Sequence, residues 1–183
     1  MEMRAQHIDR ALLLSSTGTG KSLASAFMLR EMGTKRVLFV VHREQIAKQT
    51  MKSYKRVFGS SRTYGLLSGN SREFGSDFLF ATMQMLSKED ILSHYSPEDF
   101  DVIILDECHH VGAESYQKIM RYFKPKFWLG MTASPDTNQY DIYSIFDHHI
   151  AYEIRLQQAL EEDLLCPFPL FWNYRSGNKW RSI

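Results

Sequence analysis

Five short stretches are apolar almost from end to end: Ala11–Ser15 (ALLLS), Val37–Val41 (VLFVV), Phe78–Thr82 (FLFAT), Val102–Asp106 (VIILD) and Phe127–Thr132 (FWLGMT). A strand with one wet face alternates apolar and polar residues, and these stretches do not alternate. Continuous apolar runs of this length suit strands buried on both faces, the situation inside a parallel sheet covered by helices. Thr63–Leu67 and Ile150–Ile154 are weaker candidates for further strands.

Helical patterns fill the intervals. Lys21–Met32 opens on a Gly-rich turn and stops at Gly33, a residue suited to the left-handed position after a helix. Glu44–Phe58 gathers Ile46, Ala47, Met51, Tyr54, Val57 and Phe58 on one stripe. Its opposite face carries Glu44, Lys48, Lys52 and Lys55, with Glu44 and Lys48 one turn apart. Ser115–Phe123 and Leu156–Glu162 are further predicted helices. Strands alternating with helices predict a doubly wound α/β domain, with a mainly parallel central sheet and helices on both faces.

The chain has 183 residues, enough for one ordinary domain, and a hydrophobic fraction of 44% suits a packed core. No apolar run approaches the roughly 18 residues that would span a bilayer, and MEMRAQHIDR contains no signal-peptide core. The two cysteines, Cys108 and Cys166, imply no disulfide framework. The expectation is a cytoplasmic protein in a reducing setting, with no membrane partner. Residues 1–165 are expected to form one lobe. Residues 166–183, rich in aromatics (PFPLFWNYRSGNKW), read as a linker or the start of a further domain; the alternative is a segment that packs back on the lobe.

The segment Ser15–Ser22 (SSTGTGKS) follows the first strand and opens the first helix. It meets the pattern G-x-x-x-x-G-K-[ST] at Gly20, Lys21 and Ser22, with Ser15 where the first glycine usually stands. Glycines let the backbone curl so that successive N–H groups converge on phosphate oxygens, and the helix N-terminus adds positive potential. Thr17, Gly18, Thr19, Gly20, Lys21 and Ser22 are therefore the candidate nucleotide-binding residues. Lys21 would reach the β and γ phosphates, and the Ser22 hydroxyl would ligate Mg²⁺.

The fourth apolar run ends in two adjacent acids, Asp106 and Glu107, about 85 residues beyond Lys21. Carboxyl ends of parallel strands are where such sheets bind ligands. An acid there can hold Mg²⁺, and the next can orient and deprotonate a water. Asp106 is the candidate Mg²⁺ residue and Glu107 the candidate catalytic base. Cys108-His109-His110 lacks a second pair at zinc-ligand spacing.

Net charge is only +1, but it is unevenly spread. Arg30 to Arg62 holds nine Lys/Arg against two acids, and Glu89 to Glu114 holds eight acids and no Lys or Arg. Charge alone supports two readings: a phosphate-attracting surface, or a solvated helix face beside a separate acidic one.

From about Arg10 to Pro167 the chain resembles superfamily 2 DExH helicase-like ATPases, in particular those similar to type III restriction enzyme motor subunits and related bacterial DEAD/DEAH-box proteins. Five motifs appear in family order: Ser16–Ser22 (STGTGKS), Val41–Gln49 (VHREQIAKQ), Phe80–Leu86 (FATMQML), Asp106–His110 (DECHH) and Met131–Pro135 (MTASP). The resemblance implies a RecA-like P-loop NTPase lobe that uses ATP and Mg²⁺. It implies that Arg43 and Thr82, with Gln84, touch a nucleic-acid backbone. It implies that His109, Thr132 and Ser134 couple the nucleotide site to that groove. Ser16 and Ser134 depart from the usual Ala and Thr. An adenine-recognition glutamine is not evident, Gln6 being a weak candidate. DNA is favoured over RNA on the restriction-enzyme likeness alone.

The expected reaction is water attack on the γ-phosphate of ATP. A second RecA-like lobe is expected to supply an arginine finger, worth about 10³–10⁵ in rate, so this stretch alone should hydrolyse ATP very slowly. Two other readings stand beside this one: a P-loop ATPase indifferent to nucleic acid, which would share Lys21 and Asp106, and a non-catalytic docking module, against which the intact Lys21, Asp106 and Glu107 argue.

Overall fold

The computed structural model describes residues 8–15, 20–108, 113–133 and 141–154. Gln6, the predicted helix Leu156–Glu162 and the tail 166–183 lie outside them. Seven strands form one sheet: β1 (Arg10–Ser15), β2 (Val37–Val41), β3 (Tyr64–Leu67), β4 (Phe78–Thr82), β5 (Val102–Asp106), β6 (Phe127–Thr132) and β7 (Ile150–Ile154). Their order is β3-β4-β2-β5-β6-β1-β7. Every pairing is parallel. All seven predicted strands are present, and β2, β4, β5 and β6 are buried along their whole length, as unbroken apolar runs require.

The helices are α1 (Lys21–Met32), α2 (Glu44–Phe58), α3 (Met83–Leu86), α4 (Glu89–Leu92), α5 (Glu114–Tyr122) and α6 (Ile142–Ile145). The predicted Ser115–Phe123 appears as α5, shifted by one residue, because Ala113 and Phe123 both have extended backbones. Single-turn helices α3, α4 and α6 were not expected. Four residues are too few to display a helical period.

Alternate residues of each strand feed two separate cores. Leu13, Phe39, Phe80, Ile104 and Leu129 pack with Ala26 and Leu29 of α1 and Ala47 and Tyr54 of α2. Leu12, Leu38, Ala81, Ile103 and Trp128 pack on the other face with Tyr116, Ile119 and Ile142. Helices therefore cover both faces. Tyr54 anchors the first core, its ring edge-on to Phe80 at 5.3 Å between centroids and its hydroxyl 2.8 Å from Ser25 Oγ. On the second face, Gly130 makes room for Phe146. A Cβ there would stand 2.5 Å from the Phe146 ring and 2.8 Å from Leu12 Cδ2.

The amino ends of the strands are tied together. Asp101, just before β5, accepts from the backbone N–H groups of Lys35 and Arg36, each at 3.0 Å, and from Lys126 Nζ at 2.7 Å. One carboxylate thus joins the starts of β2, β5 and β6. Burial pushes the Asp101 carboxyl up, but Lys126 and the two N–H groups more than reverse that, leaving it at about 2. Asp77 pins β3 to β4 similarly, accepting from Thr63 N at 2.8 Å and Thr63 Oγ1 at 2.9 Å.

Candidate nucleotide and nucleic-acid sites

The carboxyl edge of the sheet gathers the predicted chemistry. β1 ends at Ser15, Gly20 caps α1, and Lys21 and Ser22 are the first two residues of that helix. Gly20 has φ 83°, the left-handed region, with no atom near its missing Cβ. Backbone conformation, not space, therefore demands glycine there. The Gly20 carbonyl accepts from the N–H groups of Leu23 and Ala24, which starts the helix. Thr17, Gly18 and Thr19 lie outside the described residues.

Lys21 Nζ donates to the Ser15 carbonyl at 2.8 Å. Its pKa is lowered by burial, an effect opposed by the charges of Glu107 and Asp106. The strand order explains why residues 85 positions apart sense one another. β6 alone separates β1 from β5, so their carboxyl ends stand about 10 Å apart.

Asp106 is buried at 8% exposure. Its pKa is raised to about 6, first by burial and then by the neighbouring Glu107 charge, with Lys21 and a backbone N–H opposing. The next residue, Glu107, has φ 51°, the left-handed region that L-residues avoid. Cys108 returns to the core, where burial raises its thiol pKa far above the ordinary range. The turn at Glu107 therefore separates a core side chain from a half-buried carboxylate at the carboxyl edge of the sheet. The Tyr116 hydroxyl of α5 donates to the Asp106 carbonyl oxygen at 3.1 Å. Sequence reasoning missed this contact, because Tyr116 looks like any aromatic on an apolar helix stripe.

Thr132 is fully buried at the end of β6, in register with Leu14 of β1, while its neighbour Met131 is in register with Asp106. It therefore lies between the phosphate-loop strand and the acidic strand. The other coupling candidates, His109 and Ser134, lie outside the described residues.

Among the described residues no group of three or more His, Cys, Asp or Glu could cage a metal. Mg²⁺ rarely needs one: it keeps several waters and takes one or two protein ligands plus phosphate oxygens. The Ser22 hydroxyl, part-exposed and with no hydrogen bond among the described residues, and the Asp106 carboxylate fit that donor set.

The second group lies along the same edge. Val41 of β2 is in register with Thr82 of β4. Arg43 follows β2 and caps α2 with extended backbone, its carbonyl accepting from the N–H groups of Ile46 and Ala47. Thr82 likewise precedes α3, and Gln84 stands in that helix's first turn. Arg43 and Gln84 are exposed. The Arg43 guanidinium, Thr82 hydroxyl and Gln84 amide make no hydrogen bond among the described residues. In the first turn of α2, Glu44 pairs with Lys48 Nζ one turn on at 2.6 Å and accepts from Asn70 Nδ2, which follows β3, at 3.0 Å.

The sequence matches the family described as "Type III restriction enzyme, res subunit" over residues 1–137. It is 28% identical over 173 residues to the type I restriction enzyme EcoAI endonuclease subunit of Escherichia coli, covering 87% of this chain and 21% of that protein. It is 32% identical over 149 residues to the ATP-dependent RNA helicase DHX58 of Mus musculus, covering 66% and 22%. Among solved structures, the nuclease-deletion mutant of the type ISP restriction-modification enzyme LlaGI, in complex with a DNA substrate mimic, superposes with a TM-score of 0.66. Identity there is 20%, and the match covers 88% of this chain and 19% of that one. This likeness establishes the fold. The chain spans about a fifth of the length of each of these proteins.

Proposed function

Because the chain belongs to the type III restriction enzyme, res subunit family and forms a helicase-type ATPase lobe, we propose that it binds Mg-ATP at the end of β1 and β5 and couples hydrolysis to movement on a nucleic acid. The observation that carries this reading is that Lys21, at the start of the helix after β1, and Asp106 and Glu107, at the end of β5, share the carboxyl edge of the sheet with only β6 between their strands. Lys21 neutralises charge on the transferred phosphoryl group. Ser22 and Asp106 hold Mg²⁺, which supplies further neutralisation of the phosphate oxygens. Glu107 orients the attacking water and takes its proton. Thr132, between the two strands, transmits the state of the nucleotide to the neighbouring edge.

Arg43, Thr82 and Gln84 hold the nucleic-acid backbone. These donors, which make no hydrogen bond among the described residues, can take phosphate oxygens; contacts to phosphate are insensitive to sequence and weaken with salt. DNA is the favoured polymer, on the family's restriction-enzyme character. A second RecA-like lobe completes the site, and its closure on ATP and release after hydrolysis drive the motor.

The test is ATP hydrolysis by the protein at its full native length, with no polymer, duplex DNA, single-stranded DNA or RNA, beside Glu107→Gln. Stimulation by one polymer, lost in the variant, supports the motor and names its substrate. Equal activity with all four removes the roles given to Arg43, Thr82 and Gln84. Fast hydrolysis by residues 1–183 alone removes the need for a second lobe.

A further inference from the structure

At Asp106 the β5 backbone leaves the sheet. Its register with β2 ends at Leu105 and with β6 at Asp106. The carbonyl at that point accepts instead from a side chain: the hydroxyl of Tyr116, ten residues onward in α5, at 3.1 Å. That carbonyl belongs to the peptide joining Asp106 to Glu107. The next torsion along the chain is the Glu107 φ of 51°. A non-glycine residue persists in this region only where its surroundings over-determine it. Two anchors flank it here: Tyr116 on the Asp106 side, and Cys108, fully buried, on the other. The phenol is itself fully buried beside Ile119, so its ring does not swing.

We propose that Tyr116 is a positioning residue for ATP hydrolysis, whose hydroxyl holds the Asp106–Glu107 peptide so that the Glu107 carboxylate faces the attacking water. This rests on the reading of Glu107 as general base. Tyr116 is fully buried and acts through one peptide group. Without its hydroxyl the carbonyl loses its anchor, Glu107 relaxes toward an ordinary backbone, and the carboxylate leaves the line of attack. Misplacement by about 1 Å can cost 10²-fold in rate.

The test uses the full-length protein with its activating nucleic acid. Tyr116→Phe keeps the ring and removes only the donor. The expected result is a fall in kcat of about 10- to 100-fold, with the KM for ATP and the affinity for a non-hydrolysable Mg-nucleotide within about two-fold. In a Glu107→Gln background, with residual turnover read from γ-labelled ATP, the same substitution should do nothing further. An equal loss in both backgrounds, or a KM that rises as much as kcat falls, overturns the proposal.

A melting cycle separates this from the reading of the site itself. Tyr116→Phe should lower the melting temperature in the wild type by about 2–4 °C. It should lower it clearly less in Glu107→Gly, where glycine accepts the left-handed turn unaided. Equal shifts overturn the link between Tyr116 and the turn, whatever the ATPase result. Hydrolysis unaffected by Glu107→Gln, with unequal shifts, would leave that link standing and remove the catalytic role of Glu107.

Discussion

The two edges of the one sheet are built on opposite principles. At the amino edge the acids are satisfied: Asp101 accepts from three donors on two other strand starts, and its carboxyl sits at about 2. At the carboxyl edge Asp106 is buried beside a second acid and raised to about 6, and Glu107 bends into a disfavoured backbone region. Arg43, Thr82 and Gln84 add polar groups with no hydrogen bond among the described residues. The amino edge contributes stability. The carboxyl edge forgoes it, holding charge and strain that a ligand can relieve.

Substitutions should therefore separate activity from stability by edge. The largest effect is expected from Glu107→Gln, a loss of about 10²–10⁴ in nucleic-acid-stimulated hydrolysis with an unchanged melting temperature, read by steady-state kinetics beside calorimetry. A matching drop in stability would mean the carboxyl edge is structural after all.

Asp101→Ala should do the reverse, costing about 2–3 kcal/mol of stability while leaving kcat per folded molecule intact. Its pH dependence is specific. The folded carboxyl lies at about 2, below the ordinary value of 3.8, so its contribution is full above about pH 4 and is lost as pH falls toward 2. Denaturant titrations of wild type and variant should converge across that window. A constant gap would show that the carboxylate's charge is not what ties the strands.

Glu107→Gly sharpens the contrast within one residue. Relief of the left-handed backbone, less the extra chain entropy of glycine, should raise stability by about 0.5–1 kcal/mol while hydrolysis is still lost. A loss of stability would argue against strain at this turn.

The smallest effect is expected at Arg43, whose guanidinium has no partner to lose among the described residues. Arg43→Ala should leave the melting curve in place and lower the salt slope of nucleic-acid binding by about 1. An unchanged slope would remove Arg43 from the phosphate contacts.

Much of this was legible beforehand. The strands were, because burial on both faces writes itself as unbroken apolar runs. The positions of Lys21 at a helix start and Asp106 at a strand end were, because a strand-loop-helix and an acidic strand end are local patterns. The one-turn helices α3, α4 and α6 were not, since a single turn shows no period. Neither was Tyr116, since an aromatic on a buried helix face is the same letter whether or not its hydroxyl has work.

The sequence by itself determined the strands, the long helices, the glycine before Lys21 and the pair of acids, because each depends on neighbours a few positions away. Only the tertiary structure decided that β6 stands between β1 and β5, bringing Lys21 to Asp106 and Glu107 with Thr132 between them. Only it set Asp101 across three strand starts and Tyr116 against the Asp106 carbonyl. Strand order follows from how both faces of the whole sheet are buried at once, and that is a property of the packed chain rather than of any one segment.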